Sequence, residues 1–266
     1  MGKCKIMKNK KFLYQLFFCI TLLSLFAACQ KDPPPVPLHS IWGLGENLTA
    51  ECSNDVGYEW YIDQFNTGKH TFDNCGPACV TMAIKWTDLT FTGTVQDARN
   101  TYKSEGGWWH TNDIRNYLNN YSISNFTMNF VDANALKNEL DNKNIAILCL
   151  DMYYVRYQSE NPEWHVDKFY IIPSEGGGHF IIVKGYKIVD EITWFEVYDP
   201  WSLGVRYMDG SLKGRNRYYR SEDIMKATDV RWKYMIVVQK STTTRSAVPI
   251  PDYAIDPSTI VDQSGR

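Results

Sequence analysis

Metal-binding spacing is missing from this 266-residue chain. It holds no Cys-x2-Cys pair and no His-Glu-x2-His run, its five histidines are scattered, and Cys75 and Cys79 stand at a spacing poor for zinc. No metal and no cofactor is expected. The glycine run in "EGGGH", residues 175–179, is not followed by Gly-Lys-Ser/Thr, which excludes a phosphate loop. No basic run follows the first eleven residues and the formal net charge is −2, so nucleic acid is not expected as a partner. Seven cysteines are too sparse for a small fold held by disulfides, and no internal repeat or low-complexity array appears.

What is present is apolar and aromatic: 44% hydrophobic residues with nine Trp and seventeen Tyr, a supply suited to a filled core and an aromatic-lined cleft. The first eleven residues carry Lys3, Lys5, Lys8, Lys10 and Lys11, and an apolar stretch from Phe12 to Ala28 ends in "LFAAC". Residues 1–28 therefore read as a secretory signal peptide. Small residues directly before a cysteine resemble a bacterial lipobox, which implies that Cys29 is lipidated and anchors the mature chain to a membrane. "QKDPPPVPLH" follows, and residues 29–45 are expected to form an extended proline-rich tether. Its "QKD" resembles part of an export signal of surface lipoproteins, which implies the periplasmic face or the surface of a Gram-negative cell. Residues 46–240 form the expected domain, and 241–266, interrupted by Pro249, Pro251 and Pro257, an irregular tail.

Within the domain, residues 46–72 read mostly as loop. Asp73 or Asn74 is placed to cap a helix that opens at Cys75, accepts Pro77 in its first turn and buries Cys79, Val80, Ala83 and Ile84. "HTNDIRNYLNNY" and "DANALKNELDNK" give two more amphipathic helices, the latter opened by Asp132. The character then turns to β-branched and aromatic runs: residues 144–150, 168–172, 179–189, 193–199 and 233–239 read as strands, the middle pair joined by a turn at Asp190-Glu191. Helices first and an antiparallel sheet after them is an α+β arrangement.

A thiol at a helix start sits where backbone N–H groups lack partners and the dipole favours thiolate. Such a nucleophile needs a base, and the base needs an orienting group. Only His179 opens a strong strand, and Asp199 ends the next one. In an antiparallel pair, the start of the first strand lies beside the end of the second, so His179 and Asp199 should be cross-strand neighbours. Gly178 and the glycines before it leave room for a substrate backbone. "GGWW" reads first as a packed turn, with Trp108 and Trp109 as candidates for a cleft rim. Cys79 and Cys149 read as core thiols, and Cys52 as a loop thiol or a disulfide partner.

"NCGPAC" opening a buried helix, "GHFIIV" opening a strand and "YDP" closing the next resemble the papain-like cysteine peptidases of the bacteriocin-leader-processing type, and more closely the stand-alone bacterial peptidase C-thirty-nine-like branch, over about residues 58 to 240. The resemblance implies a papain-like fold, a peptide or protein substrate, Cys75 as nucleophile, His179 as general base and acid, and Asp199 as its orienter. It also implies a glutamine oxyanion donor a few residues before the cysteine. Gln64, eleven residues upstream, is the nearest, with "NTGKHTF" looped out between them. Asn74 stands where the family often has Asp. Three other readings stay open: a cell-wall amidase of the NlpC type, against which "NCGP" argues because such enzymes usually read Asp-Cys-Ser-Gly; thiol-dependent acyl transfer with the same triad; and a non-catalytic binding module on the same fold.

Overall fold

The computed structural model describes residues 35–240. The expected signal peptide 1–28, the lipidated Cys29, the first part of the tether and the tail 241–266 lie outside the described residues. Among the described residues no helix is long and apolar enough to cross a membrane.

The order of elements is helix α1 (Leu38–Ile41), strand β1 (Leu48–Ser53), helices α2 (Cys75–Thr87), α3 (Val95–Thr101) and α4 (Thr111–Asn120), strand β2 (Asn125–Asn129), helix α5 (Ala133–Asp141), strands β3 (Ile145–Asp151), β4 (Gly178–Val189), β5 (Ile192–Tyr198) and β6 (Arg217–Arg220), helix α6 (Ser221–Arg231) and strand β7 (Tyr234–Val238). The strands form one antiparallel sheet in the order β2-β7-β3-β4-β5-β6. Strand β4 is long enough to be shared along one edge, its first half pairing with β3 and its second half with β1. The changeover falls at Gly185, where any Cβ would lie 2.4 Å from the Cys52 carbonyl oxygen.

Both faces of the sheet are covered. On one, α2 and α4 bury Cys79, Val80, Met82, Ile84, Ile114 and Tyr117 against Ile147, Phe180, Ile182 and Ile236. On the other, α5 and α6 bury Leu136, Leu140, Ile224 and Ala227 against Leu148, Ile181, Val183 and Val237. Each Val, Leu, Ile, Met or Phe among them contributes about 1.5–3 kcal/mol of transfer free energy. The fold is α+β, with the cysteine at the start of a helix that lies on the sheet.

Three of the helices stand where their patterns put them, and Asp132 caps α5 by accepting from the Ala135 N–H. The Asp190-Glu191 turn has positive φ at both residues, as a two-residue hairpin of matching twist requires. Other segments differ from expectation. Residues 46–72 include a strand, β1, because Leu48 to Ser53 complete the exposed edge of β4. The tether does not run as far as residue 45: Trp42 stacks on Tyr218 and Leu44 is buried beside Val189 and Trp194. The run 168–172 is no strand. There Lys168 turns its amine onto the carbonyls of Met152 and Val155, and among the described residues the run pairs with the rest of the chain through a single bridge, Lys168 to Tyr157, so the in-and-out alternation of Tyr170 and Ile171 has no ladder to join.

Candidate active site

Strands β4 and β5 place the two polar residues. Ile182 stands opposite Tyr198, so continuing the antiparallel register sets Asp199 opposite Ile181, two residues from His179. That diagonal spacing is within reach of long side chains, and His179 Nε2 lies 2.7 Å from Asp199 Oδ1. The imidazole also hydrogen-bonds Cys75. Since Nε2 faces Asp199, Nδ1 is the nitrogen turned to the thiol. Cys75, His179 and Asp199 are buried together.

Asp199 is fully enclosed and receives four donors. Oδ1 accepts from His179 and from the Trp201 N–H, at 2.8 Å, and Oδ2 accepts from the hydroxyls of Tyr170, at 2.8 Å, and Tyr219, at 2.6 Å. A carboxylate taken into a protein interior without partners is prohibitively costly, whereas a hydrogen bond to a charged group contributes about 1.5–3 kcal/mol. Burial alone would raise the Asp199 pKa. The facing imidazole and the donated hydrogen bonds outweigh it and hold the carboxyl below its ordinary value. Burial would likewise push His179 down, but Asp199 and Cys75 carry it up to about 10. The two shifts agree in favouring a charged histidine beside a charged aspartate. The backbone at Asp199 is fixed as well: its N–H donates to the Gly214 carbonyl and its carbonyl accepts from the Tyr61 hydroxyl. A Cβ at Gly214 would lie 2.0 Å from that carbonyl oxygen, so the close approach needs glycine.

Neither expected cap is used on α2. Asp73 accepts from the Gly107 N–H, and Asn74 donates to Thr67 Oγ1 and the Lys69 carbonyl while accepting from Arg99 Nε. Asn74 needs an amide because it both donates and accepts, which a carboxylate cannot do. The buried Arg99 also donates to the carbonyls of Asp73 and Gly107 and so fastens the loop before the cysteine to "GGWW". No side chain caps the first turn of α2 among the described residues, which leaves its N–H groups facing the thiol's surroundings.

Gln64 is brought to the same region, its N–H donating to the carbonyl of Pro200 beside Asp199. Its side-chain Nε2, however, donates to the carbonyls of Thr71, at 2.8 Å, and Phe72, at 3.2 Å, while Oε1 is buried with no hydrogen-bond partner. Trp109 is not at a rim. It is 2% exposed and packs its Cβ against Gly76, supporting the helix behind the cysteine. Trp108 is half-buried against the same core, its carbonyl accepting from Lys103. The space at Gly178 is filled from within, since a Cβ there would meet the Arg231 guanidinium at 2.4 Å. Cys79, one turn below Cys75, is held as a thiol by burial. Cys52 lies in β1 rather than a loop and is in no disulfide; its thiol faces the Leu140 carbonyl.

Tyr170 and Tyr219 escape sequence reasoning, as does Trp201, whose ring stands edge-on to His179 with centroids 6.0 Å apart and packs on Phe65 and Phe72. Among the described residues no group of three or more His, Cys, Asp or Glu is placed to hold a metal ion.

In comparisons with known proteins, the model of a family described as the Peptidase_C39 like family matches residues 60–230. No curated protein matches the chain. Among solved structures, a protein from Bacillus anthracis described as a C39-like peptidase aligns at 10% identity with a TM-score of 0.48, covering 73% of this chain and 99% of its own.

Proposed function

The chain belongs to the Peptidase_C39 like family, and on that footing we propose that it is a cysteine peptidase working through Cys75, His179 and Asp199. The observation that carries the proposal is the chain of contacts from thiol to imidazole to a carboxylate with four donors.

In the proposed reaction His179 Nδ1 takes the Cys75 proton and the thiolate attacks an amide carbonyl carbon. The negative charge moves to the carbonyl oxygen, which the N–H groups at the uncapped start of α2 stabilise. The C–N bond then breaks, the leaving nitrogen takes the proton from His179, and a thioester to Cys75 remains. Water deprotonated by His179 attacks the thioester, releases the carboxylic acid and returns the thiol. Gln64 can donate to the same oxygen only by giving up its longer contact, to the Phe72 carbonyl. Acyl transfer would use the same first half, with an amine in place of water attacking the thioester, giving its proton to His179 and expelling the Cys75 sulfur. We further propose that the mature protein is held outside the cytoplasm by lipid on Cys29, as the small residues before that cysteine and the prolines after it suggest.

The test is alkylation with iodoacetamide at pH 7, read by peptide mass spectrometry, followed by exposure to peptide and peptidoglycan pools. Cys75 should label faster than Cys52 and Cys79, His179→Ala should slow that labelling, and peptides should be cut. Equal labelling in wild type and His179→Ala, with no cleavage, returns Cys75 to a core thiol and leaves a binding module. An acylated Cys29 peptide in the membrane fraction checks the anchor; an intact leader overturns it.

A further inference from the structure

Beyond Asp199 lies a cavity of about 580 Å³, within the range of pockets that take small ligands. Its wall and the triad share a residue. Tyr170 donates to Asp199 Oδ2, packs its ring 5.9 Å from that of Trp201, and also lines the cavity. Cys75, His179, Asp199 and Tyr170 thus form one chain of contacts that ends at the cavity wall, and Trp201, edge-on to His179 and packed on Tyr170, links the imidazole to the same wall.

Most of the remaining lining is apolar, Gln158 and Ser159 being its neutral polar members. Tyr157, Phe169, Ile171, Leu203 and Val205 contribute to it, and four of these are among the large hydrophobic side chains left open to water: Ile171 is 68% exposed, Tyr157 46%, Leu203 45% and Val205 40%. Scattered exposed apolar residues need no explanation, but a group gathered round one concavity marks a binding surface. Lys213 supplies the charge in the wall, and that amine is already engaged, donating to the Pro162 carbonyl at 2.6 Å and lying over the rings of Phe169 and Tyr207. No carboxylate lines the cavity.

We infer that this cavity binds a bulky aliphatic or aromatic side chain on the leaving-group side of the scissile bond; the inference rests on the peptidase reading of Cys75 and His179. The side follows from proton transfer. His179 must reach the leaving nitrogen, so the chain that departs runs from the thiol across the imidazole, toward Trp201 and the cavity. A residue one or two places after the cut then drops its side chain among Tyr157, Leu203 and Val205. Burying one such side chain contributes roughly the tenfold or greater preference that an apolar pocket can impose.

Two measurements test this separately from the peptidase reading. The wild-type protein is incubated with a peptide pool from a protein digest, and the residues on each side of every cut are identified by mass spectrometry. Leu, Ile, Phe and Tyr should be enriched about tenfold within the two positions after the cut, and both Leu203→Glu and the more exposed Ile171→Glu should erase that preference while leaving iodoacetamide labelling of Cys75 unchanged. Cleavage without such a preference, or a profile that neither variant alters, overturns the pocket and leaves the peptidase standing. The second measurement needs no hydrolysis. Saturation-transfer NMR on Cys75→Ala protein should show N-acetyl-phenylalanine amide bound, N-acetyl-glycine amide unbound, and the first signal lost in Leu203→Glu. A signal that persists in Leu203→Glu, or none at all, also overturns the pocket. A signal lost in Leu203→Glu, from a protein whose wild type cuts no peptide, supports the pocket and rejects the peptidase.

Discussion

His179 and His165 are both buried, at 4% and 7% exposure, yet their surroundings drive them to opposite charge states. His165 is pressed flat on Tyr207, ring centroids 4.0 Å apart, with Trp42 on its other neighbour side and its Nδ1 3.0 Å from the Asn216 carbonyl oxygen, to which it donates. Burial lowers it to about 4; the Asn216 carbonyl resists that fall and Arg217 adds to it. His179 meets the same opposition from burial but faces Asp199 and Cys75, and it rises to about 10. Burial therefore makes a neutral histidine unless a carboxylate is fixed against it. Asp199 can be fixed there only because Tyr170, Tyr219 and the Trp201 N–H satisfy the remainder of its oxygens.

The sharpest way to break the contrast is to remove the members of one site and not the other. Cys75→Ala and His179→Ala should each reduce peptide hydrolysis on the order of 10⁶-fold, and the double variant should be little worse, because groups that act as a unit are strongly non-additive. His165→Ala should leave kcat within a few-fold in protein that remains folded by circular dichroism. A loss at His165 that matches the loss at His179 would end the distinction. Asp199→Asn gives His179 the company of neutral polar groups that His165 has, and should cost roughly 10⁴-fold in kcat, less than loss of the histidine itself. Activity retained in Asp199→Asn would mean the carboxylate does not set the state of His179.

The contrast explains which parts of the site could be read in advance. His179 and Asp199 were legible because a two-residue turn joins β4 to β5 and so lays the start of one beside the end of the other; the one-residue register shift between Val183 and Gly185, which sets Asp199 opposite Ile181, carries no sequence signal. Cys75 was legible because Gly-Pro after it marks a helix start. Tyr170 and Tyr219 were not, since Tyr is an ordinary core residue and each reaches Asp199 across 29 and 20 positions through loops with no period. Tyr170 was further hidden by a run that reads as a strand. Residues 74 and 178 were misjudged for a shared reason: the partner that defines each one, Arg99 or Arg231, comes from another segment; Trp109 fits the packed turn and not the cleft rim, because Gly76 of another segment receives it. Helix α6 carries no wide apolar stripe, Asp223, Thr228 and Arg231 being buried with Ile224 and Ala227, so periodicity passes over it.

The tyrosines sharpen the contrast at smaller scale. Each removes one of four donors from Asp199 when replaced by Phe, and a hydrogen bond to a charged group contributes about 1.5–3 kcal/mol, only part of which differs between the resting enzyme and the transition state. Tyr219→Phe and Tyr170→Phe should each lower kcat by about tenfold or somewhat less, with KM for a short peptide little changed for Tyr219→Phe. Tyr170→Phe keeps the ring that lines the cavity, so a large rise in its KM would show that the hydroxyl touches substrate and does not merely hold Asp199.

The smallest expected effect lies at His165 and is read through stability, not activity. Its folded-state value of about 4 is below the ordinary 6.5, so the folded protein binds fewer protons there than the unfolded chain. Its contribution is therefore fully present above about pH 6.5 and is lost as the pH falls from there toward about 4. Asp167, two residues on, works the other way. Burial raises its carboxyl to about 6, so between about pH 4 and 6 the folded state binds the extra proton, and its contribution grows as the solution is acidified. The two groups offset each other in the wild type, which makes a single melting curve uninformative and the difference between two slopes decisive. His165→Phe keeps a ring against Tyr207 but cannot titrate, and it leaves the Asn216 carbonyl without its donor, so it should melt lower than wild type at pH 7. On lowering the pH from 7 to 4.5 it should lose fewer degrees than wild type does, measured by scanning calorimetry at matched ionic strength. Parallel slopes would mean that His165 titrates alike in the folded and unfolded chains, and that burial against aromatic rings does not by itself hold a histidine neutral here.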